Sequence, residues 1–468
     1  MPAPPRARVP MLSGFSSRPG VVWQCGAVPG LSCDLRFRGL VHQVTDPSIP
    51  ERLEAGGVTF YYGVDPSAPS LHVGNLLQLC LLRRLQRAGN RPIALLGGGT
   101  GLIGDPGGKA GERPLLGEEE LAANLEGIRP QLAKFVDLSP SAGASRGLVV
   151  DNGAWLRAIP MVQFLRDVGK HFTVNQMVAR ESVRARLERP DQGISYTEFS
   201  YMLLQAYDFL RLHLDYGCTL QVGGSDQWGN IVTGVELVRK ECRAEVHGLT
   251  TPLVTKADGT KFGKTESGSV WLDPDRTSPY RLYQFFLNVE DAVVGTYLRY
   301  FTFLSHDDIL SLDEETAARP ERRVAQRSLA DEVCRLVHGD DETRRARQAA
   351  AALFGDAPVS TLDERTLRDV VDDVPSSAVA MASIAAAAAG GTAGGGGGGP
   401  LSLVDVLVLS GLASSRSDAR RAVAQGAIRV NDRREEEPER LLGPADLLQG
   451  RYVVLRKGRR TVHVLRAE

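Results

Sequence analysis

The sequence predicts an α/β fold built on a parallel sheet, followed by a helical region and a small α+β module. The first observation is a β-α-β pattern, with an apolar strand at 58–64, a helix at 75–88 and a second strand at 92–97. Consecutive strands joined by a helix lie parallel in one sheet. The second observation is a long helical pattern from 278 to 374. The third is a compact pattern from 401 onward, in which two short helices precede a turn and a strand.

Composition limits the class of protein. The 468 residues are enough for roughly two to four domains, and hydrophobic residues make up 43% of them. The formal net charge is −1, so a nucleic-acid partner would require a local basic patch. The 6 cysteines form no C-x-x-C pair, which argues against a zinc site. No apolar run is long enough to cross a bilayer, so we expect no membrane partner.

The first 45 residues differ in composition from the rest of the chain. Its first 33 residues carry Arg6, Arg8 and Arg18 but no acidic residue, since the first one is Asp34, and Ser13, Ser16 and Ser17 add hydroxyl groups. This composition is typical of an organelle transit peptide, and the alternative is an arginine-bearing tail without a targeting role. We expect residues 1–45 to be an N-terminal extension and the first folded domain to span 46–277.

A turn between the first strand and the first helix carries a histidine. The stretch GVTFYYGVDPSAPSLHVGN runs from Gly57 to Asn75, and the helix that follows ends at Gly89. His72 and Asn75 therefore lie beside the backbone N–H groups of a helix start, where α/β sheets bind anions. A histidine there can donate to a phosphate oxygen. Alone, the tetrapeptide is a weak signal, because a loop histidine is usually only solvated.

A glycine-rich loop follows the second strand. The segment LGGGTGLIGDPGGK contains Gly99, Gly101 and Gly104 at the spacing of a dinucleotide-binding fingerprint. We reject that interpretation, because the fingerprint must open a helix and prolines and glycines interrupt 105–117. A loop that lets a ligand approach the backbone fits better. Asp105 at its end could pair with an ammonium group, and a plain structural turn is the alternative.

Three polar residues recur on one side of an otherwise apolar helix. In ISYTEFSYMLLQAYDFL, Tyr201, Gln205 and Asp208 stand at i, i+4 and i+7, so they share one helix face. Buried polar groups need partners, which favours a pocket lined by this stripe. The alternative is a face exposed to solvent.

Two later segments combine strands with short loops. TLQVGGSDQWGN places Gly224 and Asp226 directly after a strand, where the Asp226 carboxylate could accept hydrogen bonds from a ribose diol. In TKADGTKFGKTESG, Lys261 and Lys264 flank a glycine on a short loop that could close over a triphosphate. A tight turn and a solvated loop are the respective alternatives.

Together these segments resemble a known family. HVGN at 72–75 resembles the His-Ile-Gly-His signature of class I aminoacyl-tRNA synthetases, with Asn75 in place of the last histidine. KFGKT at 261–265 resembles their lysine–serine signature in the variant form of the tyrosyl enzymes. YYGVDPSAPSLHVGN is similar to tyrosyl-tRNA synthetases of the bacterial and mitochondrial type. The resemblance extends from about Asp46 to the C-terminus.

The resemblance implies an order of domains. Residues 46–277 would form a Rossmann-type catalytic domain, and 278–374 an α-helical anticodon-binding domain. The glycine-rich stretch 375–400 would be a flexible linker. Residues 401–468 would form a small RNA-binding module resembling that of a ribosomal small-subunit protein. Its positive charge comes from Arg416, Arg420, Arg421, Arg429, Arg433 and Arg434, and the glutamates at 435–437 dilute it.

The resemblance also implies roles for individual residues. The tyrosine pocket would be lined by Tyr61, Thr100, Asp105, Tyr201, Gln205, Asp208, Gln221 and Gln227. ATP would be bound by Asp65, Gly74, Gly224, Asp226 and Lys264. Catalytic contacts to the phosphates would come from Ser67, His72, Asn75, Lys261 and Lys264.

Within this pocket, Asp208 and Tyr61 would both meet the phenol hydroxyl of the substrate. A desolvated carboxylate that accepts this hydrogen bond is left unpaired by phenylalanine, at a cost of about 1–3 kcal/mol. Tyr62 competes for the role of Tyr61, because strand alternation points only one of them inward. The position of Gly63 in the family motif favours Tyr61.

The implied activity is that of a tyrosine–tRNA ligase, which activates L-tyrosine with ATP to tyrosyl-adenylate and transfers tyrosine to the 3′ end of tRNA(Tyr). Mg²⁺ would arrive with ATP, and no protein-bound metal is expected, because no carboxylate cluster suggests a metal cage. In this family the middle region, here the helical pattern at 161–180, builds a homodimer. The segment 1–45 implies a mitochondrial matrix enzyme, with a bacterial cytoplasmic enzyme as the alternative.

Two other functions compete with this one. A tryptophanyl-type synthetase has a similar fold, but Tyr61, Asp208 and the basic C-terminal module argue against it. A non-catalytic RNA-binding protein could keep the fold, but the presence of His72, Lys261 and Lys264 argues against that.

Overall fold

The computed structural model describes residues 30–105, 115–180, 183–184, 187, 193–260, 262–265, 268–355, 357–371, 374–388, 400–458 and 461–468. The chain divides into two compact units, each described below by itself. The first comprises Met1–Ser269 and Gly295–Ser311, and the second comprises Val270–Val294 and Leu312–Glu468. Among the described helices, none is long and apolar enough to cross a membrane.

A six-stranded sheet forms the centre of the first unit. The strands lie in the order β1-β6-β5-β2-β3-β4, and every neighbouring pair is parallel except β1 with β6. The chain runs from β2 through β3 to β4 and then returns to the other side of β2 at β5. This reversal opens a crevice at the carboxyl ends of β2 and β5, where α/β sheets bind ligands. The strands are β1 (Gln43–Val44), β2 (Thr59–Val64), β3 (Arg91–Leu96), β4 (Leu148–Asp151), β5 (Leu220–Gly224) and β6 (His247–Thr251), and a separate two-stranded ribbon comprises β7 (Lys264–Thr265) and β8 (Gly268–Ser269).

Helices cover the sheet of the first unit. They include α1 (Leu31–Phe37), α2 (Ile49–Ala55), α3 (Leu76–Arg87), α4 (Glu118–Phe135), α5 (Gly153–Leu156), α6 (Met161–Asp167), α7 (Val174–Val178), α8 (Tyr196–Tyr216) and α9 (Trp228–Cys242). The predicted β-α-β unit is confirmed, because β2, α3 and β3 occupy the expected positions to within one residue at each end. A single 3₁₀ turn, Val73–Asn75, precedes α3 and carries the histidine motif.

The helical pattern at 161–180 forms the short helices α6 and α7 instead of one long helix. Gly169 lies in a 3₁₀ turn between them, where the low helix propensity of glycine favours a break. Thr173 then caps α7 and exchanges hydrogen bonds with Gln176 in a capping box.

The predicted extension 1–45 is too long, because α1 and β1 already belong to the first unit. β1 pairs with β6, and Leu35 and Leu40 are buried. Asp34 forms ion pairs with Arg38 and Arg84, each at 2.6 Å. Arg38 also donates to the backbone carbonyl of Thr302 at 3.1 Å. The composition of the segment did not predict that it folds, since Arg38 and Arg84, the charged partners of Asp34, follow later in the chain. Residues 1–29, the remainder of the predicted transit peptide, lie outside the described residues.

The second unit combines helices with a five-stranded sheet in the order β11-β10-β12-β13-β9. Its strands are β9 (Ser376–Val379), β10 (Ile428–Val430), β11 (Arg433–Glu435), β12 (Tyr452–Lys457) and β13 (Thr461–Ala467). Its helices are α10 (Pro279–Leu287), α13 (Val324–His338), α14 (Asp340–Phe354), α15 (Glu364–Val371), α16 (Met381–Ala388), α17 (Leu403–Leu409) and α18 (Arg416–Ala424), while α11 (Asp291–Phe301) and α12 (His306–Ala318) contribute residues to both units.

Two predicted domain boundaries differ from these units. Residues 295–311, predicted within the helical domain, cluster with the first unit, where the Tyr297 hydroxyl donates to the Thr255 carbonyl at 2.7 Å. The predicted linker 375–400 is too long, because β9 pairs in parallel with β13 and α16 follows it. Val379 and Ile384 are buried in the core of the C-terminal module. The serine- and alanine-rich composition masked these elements; residues 389–399 lie outside the described part of the chain.

Replacement of Asp34 by alanine tests whether this N-terminal segment stabilises the fold. The guanidinium groups of Arg38 and Arg84 would stay buried without a carboxylate partner. We therefore expect the free energy of unfolding of the first unit to fall by about 3 kcal/mol in urea titrations. Glu51→Ala is the matched control, since it removes an exposed pair with Arg36 and should cost less than about 1 kcal/mol. Equal losses of unfolding free energy in the two variants would contradict a stabilising role for the buried ion pairs of Asp34.

Candidate active site

A cavity of about 420 Å³ opens at the carboxyl ends of β2 and β5. Every predicted site residue whose side chain the structure describes lines it. These residues are Tyr61, Asp65, Ser67, His72, Gly74, Asn75, Thr100, Asp105, Tyr201, Gln205, Asp208, Gln221, Gly224, Asp226 and Gln227. Lys261 lies outside the described residues, and Lys264 is described only through its backbone in β7.

One end of the cavity holds a buried carboxyl group. Asp208 is 2% exposed, and its oxygens accept hydrogen bonds from Asn152 Nδ2 at 2.9 Å and Trp155 Nε1 at 2.8 Å. Burial raises the pKa of Asp208 to about 8, although the hydrogen bonds from Asn152 and Trp155 lower it. The two donors fix the orientation of a carboxyl group that has little access to water.

The hydroxyl of Tyr61 lies at the same end and is buried without a hydrogen-bond partner among the described residues. The ring packs edge-on against Phe209, with 5.3 Å between ring centroids. Burial, and then the nearby Asp208 carboxylate, raise the pKa of Tyr61 well above its ordinary value, so the hydroxyl stays protonated. An unpaired buried hydroxyl is unfavourable, and a ligand hydroxyl would satisfy it.

Tyr62 belongs to a different part of the cavity. Its hydroxyl accepts a hydrogen bond from Asn75 Nδ2 at 3.4 Å, beside the histidine turn. This geometry supports the choice of Tyr61 over Tyr62 for the end that contains Asp208.

Asp65 lies just past the end of β2 and joins two other predicted residues. Tyr201 donates to its Oδ2 at 2.7 Å, and Thr100 Oγ1 donates to its Oδ1 at 2.7 Å. Asn152 Nδ2 also donates to Thr100 Oγ1 at 3.0 Å, which connects this group to Asp208. The prediction gave Asp65 to the nucleotide, whereas the hydrogen bonds group it with residues predicted to bind the amino acid.

Side-chain amides form a second network in the cavity. Gln227 Nε2 donates to Asp105 Oδ2 at 2.7 Å. The oxygens of Gln205 and Gln227 both accept from Asn230 Nδ2, at 3.1 and 3.2 Å. The network combines a carboxylate with amide groups, which suits the ammonium and carboxylate of an amino acid.

The histidine turn also lines the cavity, through His72, Gly74 and Asn75. His72 Nδ1 accepts from the Gly74 backbone N–H at 3.0 Å, and Asn75 Oδ1 accepts from the His72 backbone N–H at 3.2 Å. Because Nδ1 is an acceptor, the proton of a neutral His72 sits on Nε2. The capping box thus selects the tautomer that can donate to a phosphate oxygen.

The lysine loop packs against this turn, although the two motifs are far apart in sequence. Gly263 has φ of 84°, and a Cβ there would lie 2.7 Å from Val73 Cγ2 and 3.4 Å from Gly74 N. Only glycine permits both the backbone conformation and the close approach. Phe262 anchors the loop on Tyr297 and Phe301, with ring centroids 4.8 and 5.5 Å away.

Sequence reasoning missed four residues that shape the site. Asn152 and Trp155 hold Asp208, Asn230 links the glutamines, and Gln78 lines the cavity while donating to Thr251 Oγ1 at 2.6 Å. Asn152 directly follows β4, and a polar residue at the carboxyl end of a parallel strand is a signal that could have found it. The other three carry no periodic or spacing signal.

Among the described residues, Asp46, Glu245 and His247 are close enough together to hold a metal ion. None of them lines the cavity. The guanidinium of Arg52 lies 2.5 Å from His247 Nε2, and burial followed by the charge of Arg52 lowers the pKa of His247. A guanidinium in that position disfavours a bound cation.

Comparisons with known proteins agree on one family. The model for class I tRNA synthetases (W and Y) matches residues 54–355, and that for the C-terminal domain of tyrosine–tRNA ligases matches residues 397–465. The tyrosine–tRNA ligase of Roseiflexus castenholzii is 52% identical over 92% of this chain and 98% of that protein. That of Mycobacterium tuberculosis is 48% identical over 92% and 97%.

Solved structures give the same result. The C-terminally truncated mitochondrial tyrosyl-tRNA synthetase of Aspergillus nidulans is 35% identical, with a TM-score of 0.63 over 70% of this chain and 95% of that one. The corresponding protein of Coccidioides posadasii is 33% identical, with a TM-score of 0.59 over 69% and 92%.

The raised pKa of Asp208 predicts a pH dependence of stability. Because the pKa in the folded protein, about 8, lies above that of the unfolded chain, the folded protein retains a proton that the unfolded chain releases. Raising the pH from 4 to 8 therefore destabilises the fold at this site. We expect wild type to lose about 2–4 kcal/mol of unfolding free energy relative to Asp208→Asn across this range. Urea titrations at several pH values measure it, and parallel pH profiles for the two proteins would refute it.

Proposed function

This chain belongs to the class I tyrosyl-tRNA synthetases and is a tyrosine–tRNA ligase, and we propose that its cavity binds tyrosine at the Asp208 end and ATP at the histidine turn. The carboxylate of tyrosine attacks the α-phosphate of ATP, giving tyrosyl-adenylate and pyrophosphate, and the 3′ end of tRNA(Tyr) then receives the tyrosyl group. The tryptophanyl and non-catalytic alternatives are not favoured, since relatives at 52% and 48% identity are tyrosine–tRNA ligases.

The unpaired hydroxyl of Tyr61 beside Asp208 is the observation that carries the placement of tyrosine. The phenol of tyrosine would donate to the Asp208 carboxylate and accept from the Tyr61 hydroxyl. Phenylalanine would leave both groups unpaired in a dry site, which is how an enzyme obtains strong discrimination. An indole N–H of tryptophan could donate to Asp208 but offers no lone pair to Tyr61.

The amino-acid head group would lie between the two hydrogen-bonded networks of the cavity. Asp105 and Asp65 supply negative charge for the ammonium, supported by their bonds to Gln227 and Tyr201. Gln221 lies on β5 and is buried, and its Oε1 has no hydrogen-bond partner in the described part of the chain. It would serve the carboxyl end of the substrate together with Gln227.

ATP would extend from the β5 loop to the histidine turn. A Cβ at Gly224 would lie 2.6 Å from Asp226 Oδ1, so glycine keeps that carboxylate in place for the ribose hydroxyls. The phosphates would meet His72 Nε2, the Ser67 hydroxyl and the two lysines of the loop. No side chain acts as a nucleophile; the rate enhancement comes from positioning and from stabilising charge on the phosphates. Mg²⁺ would enter with ATP.

Amino-acid-dependent exchange of pyrophosphate into ATP tests this function. We expect exchange with L-tyrosine and none above background with L-tryptophan. Asp208→Asn should weaken tyrosine-dependent exchange and narrow the preference over L-phenylalanine, because the acceptor for the phenol is lost. Exchange supported equally by tryptophan would contradict the proposal.

A homodimer is supported by an exposed apolar patch on α6 and α7. Met161 is 72% exposed and Val162 is 78% exposed, and Leu165, Val174 and Val178 on the same two helices are exposed as well. Such a cluster on short helices is typical of a protein interface. We propose that a second copy of the chain covers it.

The C-terminal module would contact tRNA through part of its arginine set. Salt bridges to acidic residues engage Arg416, Arg420, Arg421 and Arg434. Arg429 and Arg433 on the β10–β11 hairpin are exposed and form no salt bridge with the residues that the structure describes. The hairpin is therefore the part of the predicted patch best suited to RNA phosphates.

We propose the mitochondrial matrix as the location. The acid-poor N-terminal composition and the similarity to two fungal mitochondrial synthetases support it. Residues 1–45 fused to a fluorescent protein should direct it to mitochondria, and diffuse cytosolic fluorescence would contradict this.

Lys264→Ala tests the role of the lysine loop. The side chain would contact the phosphates mainly in the transition state, so we expect adenylate formation to slow by about 10²-fold or more. The dissociation constant for tyrosine should stay nearly unchanged. Single-turnover kinetics and equilibrium dialysis measure the two quantities. A parallel loss of both would mean that the loop shapes the tyrosine pocket instead.

Val162→Asp tests the dimer. A charge in the centre of a buried apolar interface is strongly unfavourable, so light scattering after size-exclusion chromatography should show monomers. Leu409→Asp is the matched control, because Leu409 is also exposed, at 58%, but lies on α17. Unchanged dimerisation in Val162→Asp, or the same effect in both variants, would place the interface elsewhere.

A further inference from the structure

We propose that Asn230 is a positioning residue that fixes the direction in which the side-chain amides of Gln205 and Gln227 point. With Asn230 in place, the N–H groups of Gln227 face Asp105 and the bound amino acid. The inference rests on the proposed placement of the tyrosine head group at this network. Asn230 is half-buried in the first turn of α9 and does not line the cavity, so it acts only through the two glutamines.

The orientation of the Gln227 amide can be assigned from its contact with Asp105. An ionised carboxylate only accepts hydrogen bonds, so the group that Gln227 presents to Asp105 Oδ2 at 2.7 Å must be its Nε2. The Oε1 of Gln227 must then point the other way. There it accepts from Asn230 Nδ2 at 3.2 Å and from Gln205 Nε2 at 3.3 Å.

Asn230 holds both glutamines with one amide nitrogen. Its Nδ2 carries two protons, and it lies 3.1 Å from Gln205 Oε1 as well as 3.2 Å from Gln227 Oε1. Each glutamine therefore has its oxygen turned toward Asn230 and its nitrogen turned away. A glutamine amide rotated by half a turn would place its nitrogen against the Asn230 nitrogen, where neither could accept.

An aspartate at position 230 would reverse this pattern. Its carboxylate accepts only, so it would attract the Nε2 groups of both glutamines. Gln227 would then present Oε1 to the Asp105 carboxylate and to the carboxyl end of tyrosine. Oxygen atoms would face oxygen atoms in a site that needs donors. The shape of the side chain is nearly unchanged, so the effect is one of polarity.

The experiment compares variants of Asn230 with wild type by equilibrium dialysis of L-tyrosine and by the KM for ATP in pyrophosphate exchange. We expect Asn230→Asp to weaken tyrosine binding by about 30-fold or more. Asn230→Ala removes the donor to the two glutamine oxygens, which water can replace, so we expect it to weaken tyrosine binding by only about fivefold. The KM for ATP should change less than about twofold in both. Asn288→Asp is the matched control, because Asn288 Nδ2 also donates to a glutamine oxygen, that of Gln284, at 3.3 Å, but lies outside the cavity lining.

Gln227→Ala distinguishes the positioning role of Asn230 from the placement of the tyrosine head group. If Gln227→Ala weakens tyrosine binding and Asn230→Asp does not, the positioning role is wrong while the placement of tyrosine stands. If neither variant changes tyrosine affinity, both are wrong. Equal losses for Asn230→Asp and Asn230→Ala would reduce Asn230 to a packing role and overturn the inference.

If urea titrations show that Asn230→Asp does not fold, the tyrosine affinity of Asn230→Ser tests the positioning role instead. Serine offers one proton instead of two, so its tyrosine affinity should lie between those of wild type and Asn230→Ala. An affinity equal to that of Asn230→Ala would overturn the proposal.

Discussion

The site depends on a carboxyl group that the fold withdraws from water and then holds in one orientation. Asp208 is buried, and Asn152 and Trp155 each donate to one of its oxygens. Burial raises its pKa to about 8, which means that the folded protein without ligand carries an electrostatic cost at neutral pH. In the proposed complex, a ligand hydroxyl would offset part of that cost, and the unpaired Tyr61 hydroxyl would be a second partner for the same ligand atom. The proposed binding of tyrosine would thus gain selectivity from a group that lowers the stability of the fold.

The order of the strands explains why Asp208 and the histidine turn share one cavity. Because β5 pairs with β2, loops that are distant in sequence meet at the carboxyl edge of the sheet. The two hydrogen-bonded networks centre on Asp65 and Asp105, while the histidine turn lies at the start of α3. The contact of Gly263 with Val73 then brings the lysine loop to the same turn. The cavity is therefore built from short segments that are held at the edge of one sheet.

The sequence was most informative where periodicity or local turn chemistry determines the structure. The stripe of Tyr201, Gln205 and Asp208 follows from helix geometry, and all three line the cavity. The roles of individual residues came from resemblance, and hydrogen bonding moved Asp65 toward the amino-acid group. The contacts of Asn230 could not be predicted from the sequence, because its partners lie in another helix and in a loop. No pattern along the chain encodes such a contact.

The predicted domain boundaries at 1–45 and 375–400 were wrong for a related reason. The segment around Asp34 is held by ion pairs with arginines later in the chain. Strand β9 forms by pairing with β13, which lies much later in the sequence. Long-range pairing of this kind overrides local composition. By contrast, the β-α-β unit was placed to within one residue at each end, since its signals are local.

The most direct test of this account is the ratio of kcat/KM for L-tyrosine to that for L-phenylalanine in pyrophosphate exchange, measured for Tyr61→Phe and Tyr62→Phe. If the phenol of the substrate bonds to the Tyr61 hydroxyl, Tyr61→Phe lowers the ratio by about tenfold, and Tyr62→Phe leaves it unchanged. An unchanged ratio in Tyr61→Phe, or an equal fall in both variants, would contradict the placement of tyrosine at the Asp208 end.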